Sequence, residues 1–403
     1  MNRPRRILWI TLGISLALKI ILILVHGSFY DYHSDDREYL ESARILLKTG
    51  VLTYNDPTRP TVFITPAYPG FIALIMSVFG TGETAAQVVR ILQAVMMTGA
   101  FALLYRIGNR LFSPKTSLWA VFFCVVYPPF WLESTFLFTE AMFTLALMIL
   151  LELAFRAEER PTVLRAAAFG LAWAVAVYIR PTIALWPGIF LLILILRRRI
   201  PWRSLLRCGL VSALLFVLLL SPWWVRNYEV TDRFIPLTES GGNPLLLGTY
   251  PWTVPSLFMD EQRTWHATDD LQVNNRQDTE RAVERLKTGF HRSFWTYASW
   301  YTVGKFLLFW GDVFYWLPLP GIPLVVAIIL HYVLLIPGFI GFWRFRRNTT
   351  ALLMASLIAY MCLLHMVYLT HSRYAIPLLP LLFLFSAWEF RRISDKHRNN
   401  FQP

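Results

Sequence analysis

The sequence has few charged residues and few cysteines for its length. Only 16% of the 403 residues are Asp, Glu, Lys or Arg, whereas 56% are hydrophobic. A soluble protein of this length carries more charge, so the composition excludes an ordinary soluble domain. Cys124, Cys208 and Cys362 each lie within or beside an apolar run, which argues against a disulfide framework.

Several catalytic signatures are also absent. The sequence contains no Walker A motif, no His-Glu-x-x-His, no Cys-x-x-Cys and no Gly-x-Ser-x-Gly. His33, Asp35 and Asp36 could hold a divalent ion, but adjacent acids without other evident ligands are a poor metal signature. We therefore expect neither a metal nor another cofactor. No internal repeat is evident, which counts against an inverted-repeat transporter.

The sequence does contain many apolar runs of about 20 residues, the length that crosses a bilayer as a helix. We predict an all-α polytopic membrane protein that forms a single integral membrane domain over residues 1–403. The ten predicted spans are residues 7–26, 86–108, 116–132, 138–156, 164–179, 181–197, 204–224, 321–343, 350–370 and 374–390.

The basic residues give the predicted orientation. The net charge of +13 comes mostly from short basic clusters between the apolar runs, so it does not indicate nucleic-acid binding. All of these clusters fall on one side of the membrane if both termini are cytoplasmic, as the positive-inside rule requires. We expect the first span to be an uncleaved signal anchor, because no Ala-x-Ala site follows it.

Two long segments, 27–85 and 224–320, then lie on the periplasmic side. Residues 37–48 have apolar positions at near-helical spacing, which predicts an amphipathic helix on the membrane surface. Residues 71–79 are apolar but too short to span, so they should re-enter the membrane or lie in its interface. A second amphipathic stretch is predicted at 278–294, followed by an aromatic-rich interface segment at 295–316.

Asp35 and Asp36 are the first candidate site residues. They follow the first span, where adjacent carboxylates at a bilayer edge are costly unless they have a function. A carboxylate there could take the proton of a hydroxyl that attacks an anomeric carbon, while a lipid phosphate leaves as an anion. The alternative is a solvated loop or a helix cap.

Other candidates also lie at outer span ends. Glu140 should face the protein interior, because an acid facing lipid would be costly; its alternative is an interface acid paired with a base. Arg180 suits a phosphate oxyanion, or else it snorkels to lipid headgroups. The same two alternatives, phosphate binding or an interfacial position, apply to Lys305, His371 and Arg373.

A glycine-rich turn is the last candidate. Gly241-Gly242-Asn243 offers exposed backbone amides that could hold a sugar or a phosphate, although alone it is no more specific than a turn.

Taken in order, these segments resemble the GT-C membrane glycosyltransferases, in the clan of the protein O-mannosyltransferases and the lipid A aminoarabinose transferase. The bacterial members of this clan are phospholipid-carrier-dependent glycosyltransferases, so the resemblance implies a bacterial inner-membrane protein. The segments that carry the resemblance are His33-Ser34-Asp35-Asp36 with Tyr39, Pro66-Ala67-Tyr68-Pro69-Gly70-Phe71, Thr139-Glu140, Ile179-Arg180-Pro181, Pro222-Trp223-Trp224-Val225-Arg226-Asn227-Tyr228, Pro236-Leu237-Thr238 with Gly241-Gly242-Asn243, and Ser372-Arg373-Tyr374 with Pro377.

The resemblance implies an inverting transfer from a polyprenyl-phosphate sugar to an acceptor hydroxyl on the non-cytoplasmic face. The acceptor would be a lipid, a glycan or a protein. The resemblance implies Asp35 as the base, although Asp36 stands where many relatives have Glu. Asp36 and Glu140 would complete the catalytic set. The groups expected to bind the donor phosphate or sugar are Arg180, Asn243, Lys305, His371, Arg373 and Tyr374.

Two alternatives to a transferase remain at this stage. A flippase or transporter of lipid-linked sugars would need charges near mid-span and access from both sides, whereas these charges lie at span ends. A polysaccharide polymerase or ligase is a nearer alternative, and only the resemblance separates it from the first hypothesis.

Overall fold

The computed structural model describes residues 3–54, 56–253 and 268–400, and these residues form helices and connecting segments without a strand. The all-α prediction is therefore confirmed. The helices are α1 Arg3–His26, α2 Asp35–Thr49, α3 Ala67–Phe79, α4 Glu83–Gly108, α5 Pro114–Val126, α6 Pro129–Thr135, α7 Glu140–Glu159, α8 Val163–Ile179, α9 Trp186–Leu196, α10 Trp202–Thr231, α11 Gly242–Leu247, α12 Leu271–Arg292, α13 Phe294–Ser299, α14 Lys305–Gly311, α15 Leu324–Arg344, α16 Thr349–Val367 and α17 Leu379–Asn400.

Within these ranges, five helices are long and apolar enough to cross a membrane: α1, α4, α10, α15 and α16. The α5–α6 pair is bent by 61° at Pro128-Pro129 and could form a sixth, broken span. α8 and α9 are shorter, at 17 and 11 residues. Each predicted span falls on a helix or on this bent pair, so the chain is a membrane protein. The count of ten spans stays a prediction.

α10 is the most lipid-facing of these helices, because only 17% of its apolar window is buried inside the protein. It continues through Pro222 to Thr231, past the predicted end at residue 224. Proline has no N–H to donate to the carbonyl four residues earlier. The Ser221 hydroxyl donates a hydrogen bond to that carbonyl, of Leu218, over 2.9 Å, which lets the helix continue.

Small residues let the helices approach closely. A Cβ on Gly170 of α8 would lie 2.7 Å from the Ser212 carbonyl oxygen of α10. A Cβ on Gly341 of α15 would lie 2.6 Å from the Phe385 carbonyl oxygen of α17. Close backbone contact is a principal means of helix association in membranes, where apolar side chains gain little from leaving lipid.

The predicted outer segments contain the expected helices with shifted ends. α2 begins at Asp35, two residues before the predicted start, and ends at Thr49. Gly50 follows, and its φ of 74° closes the helix in the left-handed region. α3 begins at Ala67 and not at residue 71, because Pro69 is tolerated in a first helical turn. α2 and α3 pack together through Ala43, Ile72 and Met76.

The second outer segment is also helical where it is described. α12 begins seven residues before the predicted stretch, because the Asp270 carboxylate caps it by accepting from the amides of Gln272 and Val273 over 2.9 and 3.1 Å. The aromatic stretch forms α13, a π-helical turn at Trp300–Gly304 and α14. The part of this segment at 254–267 lies outside the described residues. Attachment of these helices to the membrane surface stays a prediction.

The predicted orientation can be tested by cysteine labelling. In a Cys208→Ser background, Lys48→Cys at the exposed end of α2 should react with a membrane-impermeant maleimide in intact spheroplasts. Arg346→Cys, which is exposed after α15, should react only after permeabilisation, because its basic cluster is expected in the cytoplasm. Cys124 and Cys362 are buried and should stay silent. Labelling of residue 48 only after permeabilisation would contradict the orientation and the periplasmic site.

Candidate functional site

Asp35 and Asp36 begin α2, but they have different surroundings. The Asp36 side chain is buried, and its two oxygens accept hydrogen bonds from the backbone amides of Tyr32 and Ser34 over 2.5 and 2.8 Å. Burial and a hydrogen bond with the neighbouring Asp31 carboxyl raise the pKa of Asp36. Asp36 thus fixes the backbone turn that leads into α2, and this backbone turn positions Asp35.

The Asp35 carboxylate is 43% exposed and lies at the opening of the site. Its Oδ2 accepts from Nη1 of Arg373 over 2.9 Å, and its Oδ1 accepts from the Tyr54 hydroxyl over 3.2 Å. Burial and the nearby Asp35 charge raise the pKa of Tyr54, so this phenol keeps its proton and donates to the carboxylate. Asp35 is therefore held in place while part of it stays open to a ligand.

Glu140 is fully buried and binds two arginines. Its Oε1 accepts from Nη2 of Arg180 over 2.5 Å and also from Nε of Arg373. Its Oε2 accepts from Nη2 of Arg373 over 3.2 Å. The Arg180 Nε additionally donates to the Thr139 hydroxyl over 2.7 Å. A buried carboxylate needs such partners, because an unpaired charge there would cost several kcal/mol.

These contacts join four charged side chains into a row: Asp35, Arg373, Glu140 and Arg180. The signs alternate, so the row is neutral. Two residues of the row, Asp35 and Arg373, are 338 positions apart in sequence. We call this row the charge cluster. Glu140, predicted to face the interior, and Arg180 and Arg373, predicted at outer span ends, all belong to it.

Helix ends place the charge cluster. Asp35 and Glu140 are the first residues of α2 and α7, and Arg180 directly follows the last residue of α8. Arg373 lies in the 3-10 turn Ser372–Leu378 that precedes α17. The Thr65 hydroxyl ties the first outer segment to the end of α8 by donating to the Ile179 carbonyl over 3.1 Å.

Aromatic rings enclose both guanidinium groups. The Arg373 guanidinium lies 3.7 Å from the Phe138 ring centroid, and the Arg180 guanidinium lies 5.7 Å from that of Tyr374. Such contacts favour cations that are removed from water. The ring of the predicted site residue Tyr374 is thus a neighbour of the Arg180 guanidinium.

His371 is part of the same region. Its Nδ1 accepts from the Arg373 amide over 3.1 Å, and its ring centroid lies 4.5 Å from that of Trp316. Burial, together with the Arg373 charge, lowers the pKa of His371 to about 3. The imidazole is therefore neutral at physiological pH, and it contributes an aromatic ring with no positive charge for a phosphate.

Lys305 and Asn243 are placed differently. The buried Lys305 amine donates to the Tyr368 carbonyl over 2.7 Å, just before the segment that carries His371 and Arg373, and burial lowers its pKa to about 7. The Asn243 amide lies 3.5 Å from an Asp278 oxygen of α12. Within the described ranges, neither side chain hydrogen-bonds to the charge cluster.

The sequence prediction did not name three residues that the structure brings to this region. Tyr54 binds Asp35, and no local signal marked it. Asp312 directly follows α14 and accepts from the Ser372 hydroxyl over 2.5 Å beside Arg373. Glu133 is fully buried near Glu140, Arg180 and Arg373, and neither of its oxygens has a hydrogen-bond partner among the described residues.

No group of three or more His, Cys, Asp and Glu side chains that could hold a metal occurs in the part of the chain that the structure describes. In the charge cluster both carboxylates already bind arginine. The expectation that the protein uses no metal stays a prediction.

Comparison with known proteins gives a partial family match and the fold. Residues 60–225 match the PMT_2 family model, dolichyl-phosphate-mannose-protein mannosyltransferase. The structure is similar to ArnT from Cupriavidus metallidurans bound to undecaprenyl phosphate, with a TM-score of 0.55 and 15% identity over 93% of this chain and 60% of that one. It is also similar to the archaeal oligosaccharyltransferase AglB from Archaeoglobus fulgidus, in complex with an inhibitory peptide and a dolichol-phosphate, with a TM-score of 0.59 and 13% identity over 96% of this chain and 50% of that one.

The fold is therefore that of the GT-C membrane glycosyltransferases. It spans about 60% of the length of the ArnT chain and half that of the AglB chain. No curated protein matches the sequence.

Proposed function

We propose that the protein transfers a sugar from a polyprenyl-phosphate carrier to an acceptor hydroxyl, with inversion, at the periplasmic face of a bacterial inner membrane. The observation that carries the proposal is the charge cluster, which places one partly open carboxylate beside two arginines at the ends of four elements. The similarity to lipid-phosphate-binding GT-C structures supports it.

The bond changes follow from this arrangement. The acceptor oxygen forms a bond to the anomeric carbon as the bond from that carbon to the phosphate oxygen breaks. Asp35 takes the acceptor proton, and the lipid phosphate leaves with the bonding electron pair. Asp35 is the base in this proposal because it is the exposed carboxylate of the cluster, whereas Glu140 is buried between the arginines.

The arginines would bind the phosphate. Nη1 of Arg180 has no acceptor among the described residues, so it is free to donate to a phosphate oxygen. Glu140 holds both guanidinium groups in fixed positions before the donor arrives. Donors arranged in advance stabilise the charge that develops on the leaving phosphate.

An apolar groove includes residues adjacent in sequence to the charge cluster and supports the proposal of a lipid-borne donor. Its outer end lies at Ile179, next to Arg180, and at Met142, two residues from Glu140. On α7 and on α8 the lining positions repeat at i, i+3, i+4, i+7 and i+11, which is one helix face about 16 Å long, close to half of the bilayer core. The lining residues are Ala67, Met96, Met142, Leu145, Ala146, Ile149, Leu153, Ala168, Leu171, Ala172, Val175 and Ile179.

The activity is tested with purified protein in detergent, radiolabelled polyprenyl-phosphate sugars and a panel of lipid, glycan and protein acceptors. We expect a labelled product that depends on the lipid carrier and disappears in Asp35→Asn. Release of the sugar to water alone, or label on no acceptor with any donor, would contradict the proposed transfer. The panel also identifies the sugar and the acceptor.

Arg180→Ala should weaken donor binding much more than it lowers the yield of folded protein. A charge-assisted hydrogen bond to the phosphate is worth roughly 1.5–3 kcal/mol, so the Kd for polyprenyl phosphate should rise roughly 10- to 150-fold. Arg165→Ala, near the other end of α8, is the matched control and should leave this Kd unchanged. Equal loss of folded protein in both variants, with normal binding by the remainder, would favour a structural role for Arg180.

A further inference from the structure

An aromatic surface lies beside the charge cluster and has no role in the proposed bond changes. Trp316, which follows α14, lies 4.5 Å from His371 and 5.3 Å from Tyr32 between ring centroids. The Phe314 ring packs against two of these rings, with its centroid 5.4 Å from that of Trp316 and 5.7 Å from that of His371. Trp316 keeps 40% of its surface exposed, so much of its indole can still contact a ligand.

Trp316 packs on His371 and Tyr32, and each of these residues is hydrogen-bonded to a neighbour of Asp35. His371 accepts a hydrogen bond from the Arg373 amide, and the Arg373 guanidinium binds Asp35. The Tyr32 amide donates to Asp36, the next residue along α2. Trp316 is therefore at the rim of the charge cluster, in contact with two residues that are hydrogen-bonded to Arg373 and to Asp36.

This position differs from that of a membrane-anchoring tryptophan. Trp295 lies in the same outer segment, is 81% exposed and packs on Phe294, as expected for a residue in an interfacial aromatic belt. Trp316 instead packs on a neutral imidazole and a phenol that adjoin the charged groups. The sequence placed both residues in one aromatic-rich segment, and the structure separates them.

The chemistry of such a surface suits a sugar. A pyranose presents C–H groups on one face, and these carry a small positive charge that the negative face of an aromatic ring attracts. Its hydroxyl groups point outward from the ring, toward groups such as Asp35. A flat aromatic surface beside a carboxylate thus meets both the apolar face and the polar edge of a sugar ring.

We propose that Trp316, with His371 and Tyr32, binds a sugar ring by stacking at the rim of the charge cluster. The ring is either the sugar carried by the donor or a sugar of a glycan acceptor. This inference rests on the proposed glycosyl transfer.

The test compares two lipids and two tryptophans. Binding of polyprenyl phosphate without a sugar, and of the same lipid carrying the transferred sugar, is measured for wild type, Trp316→Ala, Trp316→Phe and Trp295→Ala. Trp316→Ala should bind the sugar-bearing lipid about 3- to 10-fold more weakly and the sugar-free lipid normally. Trp316→Phe should recover most of the loss, because it keeps an aromatic face, and Trp295→Ala should match wild type.

The acceptor is tested in the same preparations. A rise in the KM for a glycan acceptor, with normal binding of both lipids, would support stacking of the acceptor sugar. Equal weakening of both lipids in Trp316→Ala, or unchanged binding and acceptor KM, would overturn the proposal. Failure of the wild type to bind either lipid would overturn the proposed function, and this proposal with it.

Discussion

Asp35→Asn should lose at least 10²- to 10⁴-fold in transfer rate, the usual contribution of a general base, while it folds and binds the donor almost normally. Asn has the shape of Asp: its one oxygen can accept from Arg373, and its NH₂ group can donate to the Tyr54 hydroxyl, which turns to accept. The amide cannot take a proton. Turnover, thermal stability and polyprenyl-phosphate binding should be measured in one detergent preparation. Turnover near that of wild type would exclude Asp35 as the base.

Asp36→Asn is the control for this prediction. An amide at position 36 has one acceptor oxygen for two backbone N–H groups, and its NH₂ group would face one of these donors. We therefore expect a stability loss of about 1–3 kcal/mol, with part of the activity kept by the fraction that folds. An inactive but stable Asp36→Asn beside an active Asp35→Asn would move the base by one residue.

Glu140→Gln should lower stability by about 3–5 kcal/mol, because it removes the charge that compensates two largely buried arginines. The loss should be reduced by ligand. A lipid phosphate supplies the missing negative charge, so polyprenyl phosphate should raise the melting temperature of Glu140→Gln more than that of wild type.

Glu152→Gln is the matched control for Glu140→Gln. Glu152 lies on the same helix, is also buried, and binds Arg110 and Arg156 over 3.0 and 2.8 Å at the end predicted to be cytoplasmic. The Glu152→Gln variant should also be less stable than wild type, but polyprenyl phosphate should stabilise this variant no more than wild type. Equal stabilisation of both variants would mean that the phosphate does not bind at the arginines of the charge cluster.

Much of the architecture could be predicted because apolar length and charge placement are local properties of the chain. Residues 7–26 and 350–370 had to become helices, and the cost of an acid in lipid required Glu140 to face inward. The ends were harder to predict. α10 continues past Pro222, where the Ser221 hydroxyl donates to the carbonyl that proline leaves free, and such a hydrogen bond is not visible in hydropathy.

The division of labour within the candidate site was not predictable in the same way. Asp35 and Asp36 are adjacent at a helix start, so they point in directions about 100° apart, and only the fold decides which one is buried. Lys305 and Arg373 had the same appearance as outer cations. In the structure the Lys305 amine donates to the carbonyls of Val367 and Tyr368 at the end of α16. The Arg373 guanidinium instead binds two carboxylates. Hydrogen-bond partners that are distant in sequence decide such cases.

The contact between Asp35 and Arg373, from opposite ends of the chain, has a consequence for biosynthesis. A membrane protein enters the bilayer from its N-terminus as it is translated. The pair formed by Glu140 and Arg180 is complete once α8 has been inserted, and it can hold these two helix ends together early. Arg373 can bind the Asp35 carboxylate only after the ribosome has translated residue 373. Asp35 of a nascent chain therefore has no arginine partner while residues 36–372 are synthesised, and the charge cluster is assembled only after residue 373 has been translated.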